Sequence, residues 1–297
     1  MSHTIHFNEC PACGSTAIST VMPVKDHSVS GENFNLTECA SCTFRFTQDM
    51  PDAATIGPYY KSEDYISHTN TSKGLINSLY QKVRRRTLKQ KRKLVCRHTG
   101  LQTGRLLDIG AGIGAFANEM QSNGWDTTCL EPDPDARKLA VSLFKLNPGT
   151  PDQLFSLAPA SFDAITMWHV LEHVHDLHTY LDQLKKLLKP GGKIFIAVPN
   201  YTSLDARSYK DFWAAYDVPR HLWHFSPASM QTLMQKHQIT LKTVKPMWYD
   251  SFYVSMLSSK YKNGKTNLFG AVWTGWWSNV GALFNTRKCS SVIYIGE

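Results

Sequence analysis

The sequence predicts an α/β protein: a parallel sheet with helices on both faces, behind a small cysteine-rich module. Three observations carry that expectation. From residue 104, short apolar runs alternate with amphipathic stretches, the mark of strands joined by crossover helices. The first run enters a glycine-rich turn, "LLDIGAGIGAF" at 106–116. Ahead of residue 48, four cysteines fall into two C-x-x-C pairs.

The module comes first, over 1–47. Cys10 and Cys13 form one tight knuckle and Cys39 and Cys42 the other, with 25 residues between the pairs. Each knuckle points two thiolates at one ion, and together they make the tetrahedral sulfur cage that zinc prefers. Short strands around a Ser-Gly turn should join them, giving a zinc ribbon. A redox C-x-x-C is the competing reading, but two pairs without a surrounding βαβ pattern favour metal. Four thiolates close the site, so the ion should be structural.

Residues 48–103 follow as a polar linker or irregular lid and a basic helix over about 74–98. The stretch 82–97 holds nine Lys/Arg and no acid, and outside it the chain is almost neutral despite a net charge of +8. It reads as a solvated helix face above a partial apolar stripe of Leu75, Leu79, Val83, Leu94 and Val95. Acidic lipid, phosphate or RNA are the other partners such charge can meet.

The α/β domain spans 104–297. "RLLDI" is its first strand and "AFANEMQSNG" its first helix, stopped by Gly124. "DTTCLE" is the second strand, and Asp133-Pro134 caps the next helix. "FDAITMW" (162–168) is a buried strand. An amphipathic helix with Leu177, Leu181, Leu184 and Leu188 on one face then ends at Pro190-Gly191-Gly192. "KIFIAVP" is a buried strand, Ser226-Pro227 starts another helix, and "ITLKTVKPM" and "SSVIYIGE" are the last strands. Segments 201–225 and 250–286 interrupt the pattern as lids. No run of about 18 apolar residues occurs, so no membrane span is expected. The N-terminal stretch lacks the regions of a signal peptide, so a cytoplasmic location is expected. There, seven cysteines point to metal or catalysis more than to disulfides.

The glycine turn fits two ligands. Gly110, Gly112 and Ala115 match the dinucleotide fingerprint. Gly110, Gly112 and Gly114, behind Asp108, match a D-x-G-x-G-x-G turn. A carboxylate at position 108 gains nothing beside a pyrophosphate, whereas it suits a cationic ligand. Glu131, at the end of the second strand, is placed to accept both hydroxyls of a ribose in either case.

"LLDIGAGIGAF", "LEPDPDA", "FDAITMWHVLEHVHD" and "LKPGGKIFIAVPN", in that order over about 104–200, resemble class I S-adenosylmethionine-dependent methyltransferases, most of all the ubiquinone-type and other small-molecule enzymes. Beyond residue 200 only "VPRHLWHFSP" is family-like. The resemblance implies a Rossmann-like sheet. It implies that Asp108, Gly110, Ala111, Gly112 and Gly114 line the methionine end of S-adenosylmethionine and that Glu131 and Pro132 hold the ribose. Asp152, near the end of the expected third strand, should lie near adenine, and Trp168 and His169 by the methyl donor.

His169-Val-Leu-Glu172-His173 also fits the H-x-x-E-H zinc motif. That reading fails on context, because His169 closes a strand and the motif needs both histidines on a helix. A histidine near its ordinary pKa of about 6.5 suits a base for a hydroxyl. His169, His221 and His224 are the candidates.

Residues 266–286 carry no charge, and Leu268, Val272, Trp276, Val280 and Phe284 recur every four residues. The stretch reads as an amphipathic helix whose wide apolar face packs on the domain. A cap over a bulky apolar acceptor, or a membrane-surface helix, is the alternative.

The expected activity is O-methylation of a bulky aromatic, lipid-like or sugar-containing small molecule. A sugar C-methyltransferase is one alternative, because an N-terminal zinc ribbon ahead of such a domain is similar to that of certain such enzymes. An RNA methyltransferase using the ribbon and basic helix is another, although an N-P-P-Y-type motif and an attacking cysteine are missing. A non-catalytic scaffold and a dehydrogenase remain as further readings.

Overall fold

The computed structural model describes residues 4–61 and 75–297. Its strands are β1 (Thr4–Ile5), β2 (Ile18–Lys25), β3 (Asn33–Cys39), β4 (Arg45–Thr47), β5 (Met50–Pro51), β6 (Arg105–Ile109), β7 (Asp126–Leu130), β8 (Phe162–Trp168), β9 (Leu188–Pro199), β10 (Trp223–His224), β11 (Leu241–Pro246) and β12 (Ser291–Gly296). Its helices are α1 (Leu75–Thr99), α2 (Ala115–Gln121), α3 (Pro134–Phe144), α4 (Leu177–Leu187), α5 (Leu204–Tyr209), α6 (Pro227–Lys236), α7 (Asp250–Asn263) and α8 (Leu268–Phe284). The strands make a two-stranded sheet β1-β5, a four-stranded sheet β10-β4-β3-β2 and a six-stranded sheet β11-β12-β9-β8-β6-β7. β6 runs parallel to both β7 and β8, so the α/β expectation holds at the centre of the large sheet. The chain divides into two compact units. One comprises Met1–His68, Leu171–Leu177 and Ala197–Tyr294; the other comprises Thr69–Val170, His178–Ile196 and Ile295–Glu297.

The second unit carries the glycine turn. Leu106, Leu107, Ala164, Ile165 and Met167 are fully buried, as strands covered on both faces require. α3 starts where Asp133 accepts a hydrogen bond from the Asp135 backbone N–H, with Pro134 in the first turn. α4 ends at Leu187, and Leu188, expected on the helix face, instead opens β9; Lys189, the residue before Pro190, is the one that the proline pushes out of the helical region. The third strand expected before Asp152 is absent. Gly149 makes one isolated parallel bridge to Leu130, and Pro151–Ser156 forms a 3-10 turn. Pro148 and Pro151 have no N–H to give a ladder, which is why the bridge does not extend. In α1, Val95 is buried beneath the basic face, whereas the side chains of Leu75 and Leu79 lie outside the described residues, as does the linker over 62–74.

In the first unit, β2, β3 and β4 make the ribbon, and β10 joins β4 with Trp223 opposite Phe46. Arg220 ties this unit together: its buried guanidinium bonds the buried Asp26 (3.0 Å), the partly exposed Asp217 (2.7 Å) and the Tyr59 carbonyl (2.8 Å). Burial alone would raise the Asp26 and Asp217 carboxyls, but the Arg220 hydrogen bonds outweigh it and hold both below the usual range.

The helix read from residues 266–286 is present as α8, but its packing reverses the expectation. The buried side is Ala271, Gly275, Ser278 and Ala282, while the large apolar residues face out. α7 presents Ser251, Ser255 and Ser258 to the interior, so only small residues fit between the helices. A Cβ at Gly275 would lie 3.1 Å from the Phe252 Cα. The buried Asp205 carboxylate accepts from Ser278 Oγ (2.7 Å), Ser290 Oγ (2.7 Å) and Trp213 Nε1 (2.9 Å), a demand for polar and not apolar neighbours.

Candidate functional site

β6 ends in a turn closed by backbone bonds. Gly110 and Ala111 donate to the Leu130 carbonyl (2.8 and 3.0 Å), and Gly114 donates to Ala111 (2.9 Å). Gly110, Gly112 and Gly114 all have positive φ (68°, 55° and 80°). Their roles differ. A Cβ at Gly110 would sit 2.3 Å from Val170 Cγ2, and one at Gly114 2.6 Å from Leu146 Cδ1. A Cβ at Gly112 meets nothing within 4 Å, so that backbone borders open space. Ala115 is already the first residue of α2. The three alternating left-handed glycines therefore follow the D-x-G-x-G-x-G reading.

Two carboxylates flank the turn. Asp108 is buried, accepts from Thr166 Oγ1 (2.7 Å) and feels the charge of Lys91. Burial dominates and pushes its pKa up to about 7. Glu131 accepts from the Gly112 N–H at 2.7 Å through one oxygen and from the Asp133 N–H at 2.9 Å through the other. Burial raises its pKa as well, against those two bonds. Each oxygen keeps a second lone pair, enough for a ribose diol. Pro132 is exposed, and its carbonyl, with that of Glu131, accepts from Arg137. Asp152 is exposed on the 3-10 turn after the Gly149 bridge.

Trp168 ends β8 against Phe116 of α2, ring centroids 5.4 Å apart. Its buried Nε1 has no hydrogen-bond partner among the described residues. His169 follows with φ 59°, a conformation a non-glycine residue holds only where its surroundings enforce it. Lys91 of α1 sits 4.3 Å above the Trp168 ring and was not a sequence candidate. The basic run hides it among eight other cations, and only the fold selects it. An orphaned indole N–H, a lysine, two buried carboxylates and an open backbone at Gly112 fit S-adenosylmethionine, which carries a carboxylate, an ammonium, a sulfonium and a ribose. The Asp108 shift gives a signed expectation. Its proton must leave before the carboxylate can take a cation, so affinity for the ammonium-bearing S-adenosylhomocysteine should strengthen by up to about tenfold per pH unit below 7 and level off above it. Calorimetry across pH 5.5–8.5 checks this, and Asp108→Asn should flatten the profile. The same shift lowers stability as pH rises from about 4 to about 7, because the folded state holds the proton more tightly.

The other two candidate histidines, His221 and His224, lie in the first unit, as does His173. His221 Nδ1 pairs with the Ala215 carbonyl (2.8 Å), and its ring meets His173 edge to face at 4.6 Å. Burial, then the neighbouring His221, lowers His173 to about 4, so it is neutral at physiological pH. His173 Nδ1 lies 3.1 Å from the Tyr60 hydroxyl and 3.0 Å from the Arg220 carbonyl. Glu172 and His173 occupy a 3-10 turn and not a helix, so H-x-x-E-H does not form as a zinc-protease site. Their ligand atoms gather instead with His221, all within 4.8 Å. His224 is enclosed on β10, with Nε2 3.1 Å from Thr47 Oγ1 and Tyr216 edge-on to its ring; burial keeps it well below the usual histidine range.

Cys10, Cys13, Cys39 and Cys42 also converge, their sulfurs within 4.8 Å of one another. Cys10–Cys42 and Cys13–Cys39 are each 3.6 Å apart, far beyond a disulfide bond. The knuckles match: Gly14 donates to the Cys10 carbonyl and Thr43 to the Cys39 carbonyl, both with positive φ.

A family model for the methyltransferase domain matches residues 80–244. A ubiquinone biosynthesis O-methyltransferase of Paracidovorax citrulli is 36% identical over 109 residues, covering 34% of this chain and 45% of that protein. One of Xanthomonas euvesicatoria pv. vesicatoria is 29% identical, covering 50% of this chain and 68% of that protein. The chain thus spans about half to two thirds of the length of the curated relatives it matches. A crystal structure of a SAM-dependent methyltransferase from Archaeoglobus fulgidus aligns with TM-score 0.48 and 20% identity, over 75% of this chain and 99% of that one.

Proposed function

The chain belongs to the methyltransferase-domain family, in its class I S-adenosylmethionine-dependent form, and from that membership we propose that it methylates an oxygen of a small molecule. The observation that carries this reading is Glu131 fastened to the Gly112 N–H beside the buried Asp108, two acids at the strand ends where a cationic nucleoside would bind. The bound donor supplies an electrophilic methyl on a sulfonium that leaves uncharged. Glu131 would accept the ribose hydroxyls, Asp108 would pair with the ammonium directly or through water, and Lys91 would pair with the carboxylate. Trp168 and His169 would wall the donor, and Asp152 would serve the adenine end.

The acceptor proposed is a bulky aromatic molecule with a hydroxyl group, in keeping with relatives that are O-methyltransferases of ubiquinone biosynthesis. Its hydroxyl proton needs a base. His221, with Nδ1 committed to a carbonyl, has Nε2 to take a proton, the Asp217 carboxylate 4.0 Å from that nitrogen, and neutral His173 packed against its ring. His169 is the other candidate, whereas the enclosure of His224 favours a positioning role for β10. The four cysteines would hold one structural zinc. The sugar-carbon and RNA alternatives draw no support from these relatives.

The purified protein, given methyl-labelled S-adenosylmethionine and prenylated catechols, should release S-adenosylhomocysteine and an aryl methyl ether. His221→Ala should lower kcat by roughly 100-fold or more with little change in donor affinity. Label recovered on carbon or in RNA, and none on oxygen, rejects the reading.

A further inference from the structure

α8 is built inside out for a helix in water. Projected at 3.6 residues per turn, Phe269, Trp273, Trp276, Leu283 and Phe284 fall within about 100° of arc. They are 91%, 64%, 47%, 70% and 88% exposed. The opposite arc holds the buried Ala271, Gly275, Ser278 and Ala282. Small residues between helices and large apolar ones outside are the order found where the surroundings are lipid. The rings of Trp273, Trp276 and Trp277 cluster, with Trp273 and Trp277 stacked at 6.3 Å and 6°. A continuous apolar patch of this kind is a docking surface and not ordinary exposure.

Charge around the patch selects the occupant. Lys260, Lys262 and Lys265 precede α8, and Arg287 and Lys288 follow it, all exposed. From Ser251 to Gly296 the sequence has no Asp or Glu. A second copy of this face would bring five cations against five, which opposes self-association. Anionic headgroups complement those cations, while tryptophan suits the boundary between headgroups and acyl chains. The helix has 17 residues, and no helix among the described residues is long and apolar enough to cross a membrane. It would therefore lie along the surface. We propose that α8 docks the protein onto anionic phospholipid bilayers, its aromatic arc in the interface and its flanking cations on the headgroups. This is independent of the methyl-transfer reading.

Flotation of the full chain with vesicles tests it, using phosphatidylcholine alone or with a quarter phosphatidylglycerol. The protein should float with the anionic vesicles and bind them roughly tenfold or more tightly than neutral ones. Phe269→Ser, Trp273→Ser and Trp277→Ser together should abolish flotation without changing Tm, since these side chains are exposed. Lys262→Glu, Lys265→Glu and Lys288→Glu together should remove the preference for phosphatidylglycerol. Failure of the native protein to float, or flotation of the serine variant like the native, overturns the proposal. So does a dimer in light scattering that the serine variant dissolves while neither protein binds vesicles; the face would then belong to a second copy. Cofactor binding and turnover do not enter these readouts.

Discussion

Gly110→Ala is expected to destabilise the protein by about 2–5 kcal/mol and to remove measurable binding of S-adenosylhomocysteine. Two separate costs arise in the folded state. A side chain at φ 68° costs about 1–2 kcal/mol of backbone strain. The new Cβ also meets Val170 Cγ2 at 2.3 Å, an overlap that forces a shift costing about 1–3 kcal/mol. Because Gly110 and Ala111 both bond the Leu130 carbonyl, that shift displaces the turn from the end of β7, where Glu131 follows. Thermal unfolding should move down by roughly 5–15 °C. Adding Val170→Ala should recover the steric part and leave the strain. Gly112→Ala is the contrasting variant. Its Cβ would meet no neighbour, so Tm should fall by only a few degrees, yet affinity should drop by about 100-fold or more because the methyl would stand where the ligand passes the backbone. If Gly112→Ala binds S-adenosylhomocysteine like the native protein, the turn is not the cradle.

The sequence made the regular elements legible where local pattern decides them. "RLLDI" and "FDAITMW" are β6 and β8 to the residue, since apolar runs bounded by turn residues are buried strands. Ser226 caps α6 through a reciprocal bond with Ser229, a contact within one helical turn. What sequence could not show depends on distant pairing. β10 is two residues joined to a ribbon strand nearly 180 positions earlier, and no period-2 pattern exists over so short a piece. Lys91 reaches Trp168 because α1 packs near β8, whereas its nine-cation run only announces charge. His173 and His221 meet through folding of segments that carry no shared motif. The apolar repeat of α8 was visible, but periodicity marks a face and does not say what covers it. The serines of α7 and the buried Asp205 reversed the expected side.

Removing the ion proposed for the cysteine cluster should be the most disruptive change available without touching the α/β domain. A tetrahedral zinc with Zn–S of about 2.3 Å needs sulfur–sulfur edges near 3.8 Å. Cys10–Cys42 and Cys13–Cys39, at 3.6 Å, are already close to that spacing. The backbone N–H groups of Ala12 and Cys13 face the Cys10 sulfur, and those of Ser41 and Cys42 face the Cys39 sulfur, as thiolate ligands require. Without an ion, four thiolates so close repel, and thiols gain little from the arrangement. The ribbon's buried apolar residues pack largely on segments outside it, Leu36 with Tyr201, Trp213 and Val218 and Phe44 with Trp223 and Phe225, so the module has little core of its own to replace the lost coordination energy. Because β4 also pairs with β10, and Thr47 bonds His224, the damage should reach beyond the module. Elemental analysis should find about one zinc per chain. Chelation, or Cys39→Ser with Cys42→Ser, should lower Tm by more than about 10 °C and raise protease cleavage between residues 10 and 47. Readded zinc should restore the chelated protein but not the double variant. A metal-free chain with four titratable thiols and an unchanged Tm would show that the cluster holds together by packing alone.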